Sequence, residues 1–107
     1  MAWTVILKES VIDDLRWFGK KDGRQLLDEA ESRLSEDPLA ETRNMKTLRP
    51  NPVAQRELRL FGTYRVLFNV DVVAQEVTIL LVGEKRGNAL IVQGEEFTEH
   101  HEGDTPE

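Results

Sequence analysis

Hydrophobic and polar residues alternate near the amino terminus in the pattern of a β-strand. Trp3, Val5 and Leu7 occupy every second position, and side chains two residues apart point to the same face of a strand. We therefore predict a short first strand over these residues.

After this strand the period of the apolar residues changes to that of a helix. Ser10 stands where an N-cap residue is expected, and apolar residues follow at helical spacing as far as Lys20. Lys21-Asp22-Gly23 is expected to interrupt the helix, and a second amphipathic helix then continues to Asp37-Pro38, where proline ends it. Two helices joined by a short break form a helical hairpin.

The second half of the chain has the pattern of several strands joined by tight turns. Residues 38–52 contain three prolines and no clear period, which predicts a loop. Three apolar-patterned runs follow, at Val53–Leu60, Tyr64–Val70 and Glu76–Val82, and the last is apolar on both faces, as in a central strand. Because helices do not alternate with strands, we predict an α+β domain with the helices on one face of an antiparallel sheet of three or more further strands.

The register of the hairpin around Gly62 decides which side chains share a face of the sheet. A two-residue turn would mix core and surface residues on both faces. A three-residue loop separates them and is the register that we predict. It pairs Leu60 with Tyr64 and Leu58 with Val66 on one face, and Arg59 with Arg65 and Glu57 with Leu67 on the other.

Two arginines directly opposite each other repel, at a cost of roughly 0.2–1 kcal/mol, unless a negative charge lies between them. Two explanations for the pair Arg59 and Arg65 are open. The arginines hold a phosphate, whose oxygens match the guanidinium fork, or Glu57 or an acidic residue of the helices or tail pairs with them. Spacing alone favours neither explanation.

Charge is distributed unevenly along the chain, whose formal net charge is -6. Residues 43–65 contain six basic residues and one acidic residue, whereas residues 95–107 contain six acidic residues and no basic residue. The middle of the chain is therefore locally cationic, and such a patch can bind a polyanion despite the net charge. Its candidate nucleic-acid contacts are Lys46, Arg49 and Arg56, and Lys85-Arg86 adds two cations after the central strand.

Several classes of chemistry are not expected for this chain. It has no cysteine, which excludes disulfides, thiol nucleophiles and thiolate zinc sites. His100 and His101 lie together in the acidic tail, so we predict no metal and no cofactor. Acidic pairs such as Asp13-Asp14 fall at exposed positions, where nothing desolvates a catalytic carboxylate. Trp3, Trp17, Tyr64 and Phe68 fall at buried positions of their patterns and are expected in the core or at a partner contact.

The chain shows no targeting or membrane-spanning segment. The amino terminus lacks the basic leader and long apolar stretch of an export signal. The longest apolar run, Val77–Val82, is too short to span a bilayer. We therefore expect a cytoplasmic protein without membrane contact, with one domain over residues 1–97 and a disordered acidic tail over residues 98–107.

Four motifs in this order resemble the RelE/ParE superfamily of toxins from type II toxin–antitoxin systems. The likeness covers residues 3 to about 88. The motifs are Asn44-x-Lys46-x-Leu48, Arg56-Glu57-Leu58-Arg59, Gly62-x-Tyr64-Arg65-Val66-Leu67-Phe68, and Val77–Val82 followed by Gly83-Glu84-Lys85-Arg86. The resemblance implies a RelE-like fold and a cognate antitoxin as partner.

In RelE-like members, the resemblance implies a ribosome-dependent endoribonuclease that cleaves mRNA without metal and so inhibits translation. Arg65 matches the arginine that stabilises the phosphate charge, Arg59 matches the Leu-Arg position, and Lys85 or Arg86 matches the arginine of the last motif. Converging cations suit a reaction in which negative charge develops on phosphorus. These four residues are the predicted catalytic set, with the ribosome and mRNA as partners.

The chain departs from the RelE-like pattern at two places. Gln55 and Glu57 stand where lysines often precede the Leu-Arg pair, and Asn88-Ala89-Leu90-Ile91 contains no tyrosine or histidine after the last motif. The sequence therefore shows no candidate for proton transfer at these positions. Two alternatives stay open: a ParE-like protein that binds and inhibits DNA gyrase, and a catalytically inactive binding module of the same fold.

Overall fold

The computed structural model describes residues 2–97, which form one sheet with two helices packed on one face. The predicted α+β class is confirmed, and the tail predicted over residues 98–107 lies outside the described residues. The helices are α1 (Glu9–Trp17) and α2 (Lys20–Glu36). The strands are β1 (Thr4–Leu7), β2 (Met45–Thr47), β3 (Arg56–Leu60), β4 (Tyr64–Asp71), β5 (Glu76–Arg86), β6 (Ala89–Val92) and β7 (Glu95–Glu96). Neither helix is long and apolar enough to cross a membrane.

β5 is the central strand of the sheet, as predicted. The order is β2-β3-β4-β5-β6-β7 with antiparallel neighbours, and β1 lies alongside β5 in parallel, with Thr4 opposite Glu76. The sheet predicted as antiparallel thus contains one parallel pair, because the helical hairpin carries the chain across the sheet before the meander begins. β5 is longer than the predicted run to Val82, since pairing with β6 extends it through Lys85 and Arg86.

The main core lies between the sheet and the two helices. The helices contribute their apolar stripe, and the strands contribute every second side chain. The buried members are Val11, Leu26, Ala30, Leu34, Met45, Leu58, Leu60, Val66, Phe68, Val77, Ile79 and Val82. This is the core face of the sheet, and we call the opposite side, which carries Glu57, Arg59 and Arg65, the open face.

The helical hairpin turns at a different glycine from the one predicted. Gly19 separates the helices with φ of 94°, a conformation that glycine adopts readily, whereas Gly23 lies inside α2. A Cβ at Gly23 would stand 2.4 Å from the carbonyl oxygen of Leu15, so this glycine allows the helices to approach each other. Ser10 is not the N-cap: Lys8 precedes the first helical residue, and no side chain caps the helix.

A short strand lies within the predicted loop 38–52. β2 pairs with β3, and the buried side chain of Met45 stands opposite Leu58. Three residues are too few to show a period, and this strand is held by its packing on β3. Its position brings Lys46 onto the open face, opposite Glu57.

Candidate functional site

The hairpin of β3 and β4 has the predicted register. Leu60 lies opposite Tyr64, Leu58 opposite Val66, and Arg59 opposite Arg65. The two leucines and Val66 are buried on the core face, while Tyr64 is half-buried with its ring edge-on to that of Phe18 at 5.3 Å between centroids. Both arginines therefore project from the open face, which is where the phosphate hypothesis requires them.

A carboxylate lies beside both arginines. Glu57 Oε1 is 3.8 Å from Arg59 Nε, and Glu57 Oε2 is 3.9 Å from Arg65 Nε. Of the two explanations that the sequence left open, pairing with Glu57 is thus realised in the protein itself. The negative charge of Glu57 offsets the repulsion between the two guanidiniums. The arginine pair by itself is therefore no evidence for a bound phosphate.

Arg65 is buried in the sheet despite its charge. Its side chain is 9 % exposed, and Nη1 donates hydrogen bonds to the carbonyl oxygens of Gly62 at 3.0 Å and Tyr64 at 3.1 Å. Burial lowers the pKa of Arg65 below its ordinary value, the charge of Glu57 opposes this shift, and that of Arg59 adds to it. Arginine stays protonated at neutral pH despite such shifts, so Arg65 places a fixed positive charge just beneath the open face.

Lys85 and Arg86 lie on opposite faces of β5. Gly83 stands opposite Arg65 in the β4–β5 pair, and Lys85, two residues further, shares its face. Arg86 alternates to the other face and pairs with Glu84, with 3.1 Å between Nη2 and Oε1. The structure thus brings together Arg59, Arg65 and Lys85, which we call the cation cluster, and leaves Arg86 outside it.

Gly83 lies opposite Arg65, beside the cation cluster, where β6 approaches β5 closely. A Cβ at this position would lie 2.6 Å from the carbonyl oxygen of Ile91 and would also crowd Leu90 and Val92. The absence of a side chain therefore lets β6 cross close to β5. No bulky group stands on β5 opposite Arg65.

The three residues predicted to contact RNA do not all lie on the open face. Lys46 is exposed on the open face, and Arg49 lies in the loop beside it. Arg56 shares the core face with Leu58, and its side chain is only 8 % exposed. Its Nη1 donates to Glu41 and Thr47 at 2.8 Å each, and Nη2 donates to the carbonyl of Ala40. The predicted contact between Arg56 and RNA therefore finds no support in this placement, because β-strand alternation turns the residue inward.

A groove of about 530 Å³ lies on the open face next to the cation cluster. Leu48, Leu67, Leu90 and Phe97 contribute apolar side chains to its lining, and Glu57 also lines it. The remaining lining residues come from the loop before β3, from the β5–β6 turn and from the carboxyl-terminal strands: Arg49, Pro50, Asn51, Asn88, Ala89 and Glu96. Glu57 therefore connects the groove to the two arginines.

The wall formed by β6 and β7 is fixed to α1 by a buried carboxylate. Asp14 is 4 % exposed, and its oxygens accept hydrogen bonds from the Val82 N–H at 3.1 Å and from Gln93 Nε2 at 2.7 Å. Trp17 lies against Gly94, where a Cβ would come within 2.6 Å of the indole ring. The prediction of an exposed Asp14 was wrong, because the sequence did not show that the β6–β7 turn folds onto this helix. Trp17 is exposed and lies outside the core, so of its two predicted roles the partner contact stays a prediction.

Glu57 is the functional candidate that the sequence reasoning did not single out. The sequence contained an indication of its role, since the predicted register already placed Glu57 on the same face as Arg59 and Arg65. Metal ligands were not expected, and residues 2–97 contain no group of three or more His, Cys, Asp or Glu side chains arranged to hold a metal ion. His100 and His101 lie outside the described residues.

Comparison with known proteins identifies solved structures of the same fold. No protein-family model matches this chain, and no curated protein sequence matches it. The toxin–antitoxin complex RelBE2 from Mycobacterium tuberculosis is similar, with 28 % identity over 79 % of this chain and 93 % of that chain, at a TM-score of 0.68. The archaeal RelE–RelB complex from Pyrococcus horikoshii OT3 shares 25 % identity over 83 % of this chain and 100 % of that chain, at a TM-score of 0.63.

A third structure supports the fold alone. A mutant of the Escherichia coli toxin RelE in the free state has 24 % identity over 82 % of this chain and 88 % of that chain, with a TM-score of 0.61. All three likenesses cover most of both chains. These likenesses show that this chain has the RelE fold. The two at 25 % identity or more, together with the motifs on β3, β4 and β5, support a RelE-family toxin of a toxin–antitoxin system.

Proposed function

We propose that this chain is the toxin of a toxin–antitoxin pair and that it cleaves ribosome-bound mRNA by a metal-independent reaction. Two of the similar structures are toxin–antitoxin complexes, which supports an antitoxin as partner. The toxin domain would comprise residues 1–97, with residues 98–107 as a separate acidic tail. Co-expression of the protein encoded by the adjacent reading frame should relieve the toxicity.

One observation carries the nuclease proposal: Arg59, Arg65 and Lys85 share the open face beside the groove. Cleavage through the ribose 2′-hydroxyl concentrates negative charge on the phosphate oxygens, and fixed cations stabilise that charge without reorganisation. Arg65 is held by two carbonyls, while Arg59 is 35 % exposed and Lys85 is exposed, so these two can reach a ligand. Lys46 and Arg49 would contact the adjoining backbone.

Arg56 and Arg86 have no assigned contact with the substrate in this proposal. Arg56 joins β3 to the segment around Glu41, and Arg86 pairs with Glu84 on the other face. Arg86→Ala is therefore a matched control for Arg59→Ala, because both remove one partly exposed arginine from a strand.

The experiment follows translation and DNA supercoiling separately in purified systems. Wild-type protein should cleave mRNA on programmed ribosomes and leave gyrase supercoiling unaffected. Arg59→Ala should slow cleavage by roughly 10²–10³-fold, as expected for loss of one charge-stabilising donor, and Arg86→Ala should have little effect. Inhibition of gyrase with intact translation would refute the proposal in favour of a ParE-like activity, and inactivity in both assays would favour a binding module.

A further inference from the structure

Phe61 is an exposed aromatic residue in the turn of residues 61–63 between β3 and β4, which we call the hairpin turn. The residue is 54 % exposed and belongs to neither buried cluster of the fold. Of residues 2–97, three residues other than glycine have a positive φ, and Phe61, with φ of 51°, is the aromatic one. This left-handed conformation is unfavourable for a bulky side chain. Phe61 therefore adds local backbone strain, and less than half of its surface is buried to offset that strain.

The backbone of the hairpin turn is bonded to the cation cluster. The Gly62 carbonyl accepts the hydrogen bond from Arg65 Nη1 at 3.0 Å. The next carbonyl, that of Thr63, accepts a hydrogen bond from the Lys85 N–H at 2.8 Å. Because two members of the cluster contact consecutive residues of the turn, Phe61 is presented from a backbone whose position is fixed relative to both cations.

A fixed aromatic ring beside converging cations is an arrangement that binds single-stranded nucleic acid. In such sites the cations contact the phosphates, and the ring stacks on a base. Arg59 lies two residues before Phe61, so their Cα atoms are at most about 7 Å apart. A spacing of this order suits a phosphate and a neighbouring base of the same strand. A strained residue kept at such a place is more readily explained by ligand binding than by folding.

We propose that the Phe61 ring stacks on an unpaired base of the mRNA substrate, an assignment that rests on the function proposed above. The cation cluster binds the adjoining phosphate, and the stacked base fixes the register of the strand on the open face. Every base offers a π face, so this contact tolerates different sequences. Phe61 is accordingly a positioning residue, which contributes to affinity and takes no part in breaking the bond.

A protein partner is the other class of molecule that covers exposed aromatic residues. Protein hot spots lie in closely packed surfaces from which water is excluded. The exposed residues next to Phe61 in the chain are Gly62 and Thr63, which offer little apolar surface. The exposed apolar residues Val72 and Val73 lie in the β4–β5 turn, at the other end of β4. The surroundings of Phe61 therefore favour RNA over a protein.

The primary test measures the half-saturating protein concentration for cleavage of mRNA on programmed ribosomes. Phe61→Asn should raise it by roughly 5–150-fold, as expected for loss of one stacked base, and leave the rate at saturating protein near wild type. Its Tm should stay at or above that of wild type, because asparagine tolerates the left-handed conformation better. Phe61→Tyr should keep wild-type affinity, whereas Phe61→Leu, which is apolar but has no ring, should lose most of it.

Val73→Asn is the matched control, because it also replaces an exposed apolar residue in a hairpin turn. Its half-saturating concentration should equal that of wild type. An equal loss in Val73→Asn and Phe61→Asn would overturn the assignment, since the effect would then not depend on the place beside the cation cluster.

An abasic mRNA tests the stacked base directly. Bases are removed one at a time through the codon nearest the cleavage site. At one position, removal should weaken wild-type binding to the level of Phe61→Asn and should not weaken Phe61→Asn further, because two changes that remove the same contact are not additive. Additive losses at every position would overturn the stacking assignment.

The remaining outcomes separate this assignment from the function on which it rests. Wild-type affinity of Phe61→Asn for mRNA would overturn the stacking assignment and leave the nuclease proposal standing. Wild-type affinity combined with loss of neutralisation by the protein of the adjacent reading frame would assign Phe61 to the antitoxin interface instead. Wild-type protein that cleaves no mRNA would overturn both proposals.

Discussion

Arg65 carries a positive charge beneath the open face, and its replacement should alter stability and activity together. In Arg65→Ala the carbonyl oxygens of Gly62 and Tyr64 lose their guanidinium donor, and Glu57 loses one of its two arginine neighbours. Arg65→Lys keeps the charge but replaces the planar guanidinium, whose Nη1 donates to both carbonyls, with a single ammonium group. The two variants therefore separate the effect of charge from that of geometry.

The loss of stability follows from these contacts. A hydrogen bond to a charged group contributes about 1.5–3 kcal/mol, and Arg65 makes two bonds from Nη1 to carbonyl oxygens. Relief of the repulsion from Arg59 returns roughly 0.2–1 kcal/mol. We expect Arg65→Ala to lower the free energy of unfolding by about 2–4 kcal/mol, and Arg65→Lys by about 1–2 kcal/mol.

Thermal unfolding followed by circular dichroism measures this effect. At about 4–8 °C per kcal/mol for a domain of this size, a loss of about 2–4 kcal/mol should lower Tm by roughly 8–32 °C in Arg65→Ala. Cleavage assays on Arg65→Ala need a temperature well below its own Tm, where the rate should still be lower than wild type by roughly 10²–10³-fold.

Arg59→Ala serves as the stability control, because the Arg59 side chain is 35 % exposed and a partly exposed residue contributes little to the fold. Its Tm should stay close to that of wild type while its cleavage rate falls. An Arg65→Ala protein with wild-type Tm would refute the structural role assigned to the guanidinium. A folded Arg65→Ala protein with wild-type cleavage would refute its role at the phosphate.

Two further predictions concern regions outside the cation cluster. Asp14→Ala leaves the buried Val82 N–H without its acceptor and removes the hydrogen bond from Gln93. Thermal unfolding should therefore show that the free energy of unfolding falls by about 2–4 kcal/mol. An unchanged Tm would mean that the carboxylate does not fix the β6–β7 turn. Deletion of residues 98–107 removes four acidic residues and no basic residue. It should leave Tm unchanged and strengthen binding to a polyanion such as heparin, with a steeper salt dependence, and a marked drop in Tm would assign the tail to the folded domain.

The features that the sequence predicted well depend on short-range alternation. In the β3–β4 hairpin, one residue more or less in the loop changes every pairing, and only one register separates Leu58 and Val66 from Arg59 and Arg65. The same alternation predicts that Arg56 faces the core together with Leu58. We nevertheless predicted a nucleic-acid contact for Arg56 because of its positive charge. Burial of Arg56 depends on Glu41 and Ala40, which lie in a segment without a recognisable period.

The features that the sequence did not predict depend on contacts between distant segments. Asp14 is buried because the Val82 N–H and Gln93 meet it from β5 and the β6–β7 turn. Local helical pattern gives no indication of either partner. Glu57 illustrates a different limit: its face was predicted correctly, but its distance from both guanidiniums and its position at the groove required the three-dimensional arrangement.

The parallel pairing of β1 with β5 ties completion of the fold to the order of synthesis. Thr4 is made before its partner Glu76, which emerges only after the helices and the β3–β4 hairpin. Until then β1 has no sheet neighbour, and the apolar stripe of the helical hairpin lacks part of its cover. Because contacts between such distant residues slow folding, a nascent chain passes through a period in which its helices and hairpin exist without the sheet that aligns the cation cluster. The cation cluster is therefore complete only after β5 has left the ribosome.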